Sequence, residues 1–142
     1  MNSYETAHNF DNVIKLVFKR LINSFNKRKE QEITLEQFFL LDIINNHPEI
    51  NQNELSQIAC KDKSAVVRQV DILENKEIVN RKTCPLDRRK NKMMMTDKGC
   101  EIFKKGNEFK DDFLNQILEV LSEEEKKELN KILLKLLKSL ND

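Results

Sequence analysis

The sequence predicts a mainly α-helical chain with one small two-stranded β-hairpin. Three observations lead there. Of 142 residues only two are Gly and two Pro, and Lys, Glu, Leu and Ile are plentiful, a composition that favours helices over turns. Apolar residues recur at three- and four-residue steps through most of the chain. That period breaks once, around residues 78–96, where two short β-compatible runs flank a turn-like stretch. The length suits a single domain, 1–142, rather than two ordinary cores.

The elements follow in order. Phe10, Val13, Ile14, Val17, Leu21 and Phe25 predict a first helix from Phe10 to about Asn26, burying one stripe. Residues 27–32 form a charged connection. Thr34 with Gln37 is a capping box that opens a helix carrying Leu35, Phe38, Phe39, Leu41, Ile43 and Ile44. Pro48 forbids helical geometry at His47 and ends it. Asn51 with Glu54 repeats the start signal, and Leu55, Ile58 and Ala59 carry a short helix to about Cys60. Asp62 caps a fourth helix through Ala65, Val66, Val70 and Leu73 to about Asn75. The hairpin pairs residues 78–82 with 92–96, its tip near residues 86–91. Thr96 or Asp97 starts a long helix with Ile102, Phe103, Phe109, Phe113, Ile117 and Leu118. Ser122 with Glu125 caps a last one bearing Leu129, Ile132, Leu133, Leu136, Leu137 and Leu140.

Four helices, a hairpin and two helices make a winged helix-turn-helix with added helices at both ends. Residues 51–60 and 62–75 supply the helix-turn-helix. A DNA-binding lobe is expected at about 34–98, and dimerisation helices at about 8–27 and 98–140.

Charge is uneven along the chain. The formal total is +1, yet residues 61–96 carry ten basic and five acidic side chains, and residues 81–92 six basic and one acidic. A polyanion is the expected partner of that middle segment. The second helix of such a motif enters the major groove. With Val66, Val70 and Leu73 inward, Lys63, Ser64, Val67 and Arg68 take the outer face. Arg68 has the fork for guanine, Ser64 reaches a base or phosphate, Val67 meets a thymine methyl and Lys63 neutralises phosphate. Arg88, Arg89 and Lys90 at the hairpin tip suit the negative potential of the minor groove.

Residues 51–99 resemble the core of the MarR-type (multiple antibiotic resistance regulator) transcription factors. The matching stretches are Asn51-Gln52-Asn53-Glu54-Leu55, Asp62-Lys63-Ser64-Ala65-Val66-Val67-Arg68, Val70-Asp71-Ile72-Leu73-Glu74, Asp87-Arg88-Arg89 and Thr96-Asp97-Lys98-Gly99. The resemblance implies a homodimer on a roughly palindromic double-stranded operator, usually a repressor. An effector would enter between the dimerisation helices and the DNA-binding lobe. It carries the DNA-contacting role to Gln52, Lys63, Ser64, Val67, Arg68 and Arg89, with Asp87 orienting the wing. Two departures stand out. Cys60-Lys61 fills the turn where the family has glycine and an aliphatic residue, and Glu77 stands where a glycine usually ends the recognition helix. A left-handed Glu77 costs ~1 kcal/mol or more relative to glycine.

Three cysteines without a C-x-x-C pair fit a reducing cytoplasm rather than a disulfide framework. They read first as structural or incidental thiols. Cys84, beside Arg81 and Lys82, is the one candidate for an oxidation switch, because basic neighbours favour a thiolate. His8, His47 and the cysteines make no zinc spacing, so no metal or other cofactor is expected, and Met93, Met94 and Met95 read as strand packing. No phosphate-cradling glycine loop, H-E-x-x-H pair or nucleophile elbow points to an enzyme. No apolar run is long enough to span a bilayer, and no signal peptide is apparent. The rival to DNA binding is a helical adaptor whose basic hairpin docks an acidic partner.

Overall fold

The computed structural model describes residues 2–29, 32–87 and 90–142. Its elements are α1 (Ser3–Asn26), α2 (Leu35–Asn46), α3 (Gln52–Ala59), α4 (Lys63–Asn75), β1 (Val79–Lys82), β2 (Lys92–Met95), α5 (Asp97–Leu118) and α6 (Glu123–Leu140). This is the expected winged helix-turn-helix with helices added at both ends.

The local start signals act as their chemistry dictates. At Thr34 the hydroxyl accepts from Gln37 N–H at 3.2 Å and Gln37 Oε1 accepts from Thr34 N–H at 3.0 Å. Asn51 and Glu54 exchange the same pair of bonds at 2.7 and 3.2 Å, and Ser122 and Glu125 at 3.1 and 2.9 Å. Each box satisfies two of the N–H groups that a helix start leaves unpaired. The first helix differs from expectation at its start. It begins at Ser3, seven residues before the first residue of the apolar stripe, because Asn2 Oδ1 accepts from Glu5 N–H at 2.8 Å. A polar first turn carries no apolar rhythm, so periodicity alone misses it.

Among the described residues three connections take left-handed backbone, at Glu49 (φ 63°), Cys60 and Glu77, and none has glycine there. Cys60 ends α3 at φ 52°, with its N–H on Gln57 and that of Lys61 on Ser56. Glu77 takes φ 61° after α4, while Ile78 N–H returns to Leu73 C=O at 2.9 Å. The strain foreseen at Glu77 is therefore present, and Cys60 shares it.

The chain divides into two compact units, one through Phe109 and one from Lys110 to Asp142. The first holds the core. Phe25, Phe38, Leu41, Leu55, Val70, Leu73, Ile78 and Val79 are fully buried. The Phe38 ring lies 5.3 Å from both Phe25 and Phe103, and Phe109 meets Phe25 edge-on at 5.7 Å. Arg28 lays its guanidinium 4.0 Å from the Phe25 ring centre, and burial lowers its pKa from the ordinary arginine value. In the second unit α6 has no buried residue; Leu133, Leu136, Leu137 and Leu140 are all exposed.

The hairpin is antiparallel, with Val79 opposite Met95 and Arg81 opposite Met93. Met93 is buried, as expected of strand packing, whereas Met94 is more than half exposed. At its base, the Thr96 hydroxyl donates to Glu77 C=O at 2.6 Å and accepts Gly99 N–H at 2.9 Å. A Cβ on Gly99 would stand 2.1 Å from the Ile78 carbonyl oxygen, so no side chain fits there. The threonine, x, x, glycine pattern thus has a steric cause. No helix among the described residues is long and apolar enough to cross a membrane.

Candidate nucleic-acid interface

α4 turns Val66, Val70 and Leu73 into the core, which leaves Lys63, Ser64 and Arg68 exposed and Val67 half-buried. That is the division of faces the sequence predicts. Among the described residues, no ion pair holds Lys63, Arg68 or Lys90. Exposed cations outside ion pairs have the chemistry that phosphate and base edges take.

Asp62 precedes this helix but does not cap its backbone with a side-chain bond. Its carboxylate accepts the Ser64 hydroxyl instead. That bond holds Asp62 below the ordinary carboxylate range, helped by the backbone N–H groups of Ala65 and Ser64 and by the Arg68 charge. The outer face of α4 therefore carries a fixed anion beside its cations, which the expected capping role did not anticipate.

Gln52 sits between α4 and the hairpin. Its N–H donates to Asn91 C=O at 3.1 Å, and its side chain lines a 430 Å³ cleft with Val67, Asp71, Arg81, Thr83 and Asn91. Further bonds anchor the hairpin: Met93 N–H donates to Ile50 C=O at 2.8 Å, and Cys84 N–H to Asn91 Oδ1 at 2.9 Å. Asp87 is half-buried, donates its N–H to Cys84 C=O at 3.3 Å and accepts Lys90 N–H at 3.0 Å. Lys90 is exposed. Arg88 and Arg89 lie outside the described residues.

Arg81 is the residue that sequence reasoning missed. Sequence position offers it only as a basic neighbour of Cys84, yet its guanidinium lies 2.6 Å from Asp71 and 3.5 Å from Glu74. The arginine expected to favour a Cys84 thiolate is thus turned toward α4. Cys84 is half-buried, and Cys60 and Cys100 are exposed free thiols. Among the described residues, no group of three His, Cys, Asp or Glu could hold a metal ion.

Known proteins share this fold. The MarR family model matches residues 33–90, the span from α2 to the hairpin tip. The apo form of wild-type MarR from E. coli is 27% identical with a TM-score of 0.75, covering 89% of this chain and 96% of that one. This chain is similar to the MarR family over residues 33–90. The uncharacterized HTH-type transcriptional regulator YdgJ of Bacillus subtilis is 29% identical over 110 residues, 78% of this chain and 67% of that protein. FabT of Streptococcus pneumoniae, solved in complex with DNA, shares the fold at a TM-score of 0.75 and 20% identity, over 99% of each chain. The matched family model and the shared fold are those of transcription regulators.

Proposed function

We propose that the chain is a homodimeric, sequence-specific repressor that reads a roughly palindromic operator. α4 enters the major groove with Lys63, Ser64, Val67 and Arg68, assisted by Gln52 from α3. The hairpin, with Arg88, Arg89 and Lys90 and with Asp87 orienting it, reaches the adjoining minor groove. The observation that carries this reading is the outward face of α4, where Lys63 and Arg68 are exposed and, among the described residues, held in no ion pair.

Dimerisation is the second part. α1 exposes Phe10, Val13, Ile14, Leu16 and Phe18, and α6 exposes the stripe from Ile132 to Leu140. Faces of this kind call for a partner surface, and a second copy supplies one with the same pattern. Each 1,000 Å² of apolar area buried is worth ~25 kcal/mol before the large costs of association.

A small ligand modulates the affinity. A 660 Å³ apolar cavity lies among Phe18, Ile22, Leu35, Phe39 and Ile72, and its wall includes Gln69 from the rear of α4. An occupant there presses on the recognition helix itself, which favours a ligand over oxidation at Cys84. Peroxide leaving a Cys84→Ser variant and the wild type equally responsive would remove the oxidation alternative.

The test is selection of bound fragments from random duplex DNA. An inverted repeat with half-sites one helical turn apart, and affinity that falls steeply with salt, are the expected results. An adaptor for an acidic protein would enrich no repeat.

A further inference from the structure

We infer that Arg81 is a positioning residue for operator selection: it contacts no DNA, and instead sets the recognition helix and the wing at the separation their two grooves require. The inference rests on the DNA-binding reading above. Arg81 sits on β1 opposite Met93, and its side chain is only 16% exposed. From there the guanidinium reaches across to α4 at three places. It lies 2.6 Å from Asp71 Oδ1 and 3.5 Å from Glu74 Oε1, and it donates to the Val67 carbonyl at 3.4 Å.

The geometry explains why arginine stands there. A planar fork can hold two carboxylates and a carbonyl at once, whereas an ammonium acts as a single point charge. Its Nε is buried without a partner, so the side chain is committed inward rather than poised to swing out. Asp71 and Glu74, three residues apart on one turn of α4, give the fork a rigid seat. Gln52 and Asn91 line the same cleft. One strand of duplex separates a major from a minor groove, so the width of this cleft decides whether helix and wing seat together. A change of about an ångström there breaks the match at one groove and leaves the other intact.

This assignment differs from direct phosphate contact in its consequences, and Asp71→Asn separates the two. Footprints would be taken on the selected operator, reading guanine N7 methylation in the major groove and hydroxyl-radical cleavage in the minor groove. For Arg81→Met, N7 protection at the half-site centres persists while minor-groove protection weakens. Preference for operator over random DNA then falls about tenfold, with the salt slope unchanged. Asp71→Asn gives the same pattern, and Arg81→Lys restores part of it. The inference is overturned if Asp71→Asn tightens binding to every duplex, because a released Arg81 would then be serving phosphate. It is also overturned if Arg81→Met lowers the salt slope by about one phosphate contact, or if both footprints stay as in the wild type. Should Arg81→Met fail to fold, Asp71→Asn carries the test alone. A wild-type protein that protects no duplex at all removes the DNA-binding reading itself.

Discussion

Phe38 and Leu137 lie on helices whose apolar residues follow the same three-and-four spacing, yet Phe38 is fully buried and Leu137 is 54% exposed. The difference lies in what each helix meets. α2 is enclosed within the first compact unit, where Phe25 and Phe103 close on Phe38. α6 presents an equally regular stripe that finds no burial in its own chain. Periodicity thus shows that a face will be covered, but not by which molecule.

The comparison is broken most directly at Phe38. Phe38→Ala should cost the folded chain about 3–5 kcal/mol, seen as a lower midpoint in denaturant unfolding. An equivalent change in α6 should act elsewhere. Leu133→Glu with Leu137→Glu should convert a dimer to monomers in sedimentation equilibrium and weaken operator binding at least about tenfold. The unfolding of the first unit should move by no more than about 0.5 kcal/mol. If the double variant remains dimeric, the exposed stripe is not the subunit contact. Gly99→Ala, forced against the Ile78 carbonyl, should cost about 1–3 kcal/mol, and the wing should loosen with it in amide exchange. Glu77→Gly works in the opposite direction: removing a left-handed side chain should stabilise by about 1 kcal/mol, with Cys60→Gly similar.

The smallest effect concerns pH. Asp62 is held below the ordinary carboxylate range first by the Ser64 hydroxyl, and Glu125 first by the Ser122 N–H. A carboxylate whose folded pKa is depressed stabilises fully above its unfolded value and ceases to do so as pH falls through the folded one. Helicity should therefore decline on the acid side of that window, and Glu125→Gln should flatten part of the decline in circular dichroism.

Local chemistry was the legible part of this molecule. The three capping boxes, the stop before Pro48, the hairpin and the inward set Val66, Val70 and Leu73 all depend on neighbours within a few residues. The start of α1 escaped notice because Asn2 and Glu5 act without an apolar rhythm to frame them. The Arg81 seat escaped for a different reason. Its partners lie seven and ten residues back on another element, and nothing in spacing says that the β1 side chain will fold over α4. The candidate interface was legible on α4, where exposure follows helical period, but the cleft beside it needed tertiary structure.

The Thr96–Gly99 junction has a mechanical meaning. Because the Thr96 hydroxyl grips Glu77, just past the end of α4, while a bare Cα rests on the next carbonyl, the root of α5 is joined closely to the segment that leaves α4. A shift of α5 at that end has to carry the β1 entry and the end of α4 with it, as a key carries the turn of its bow.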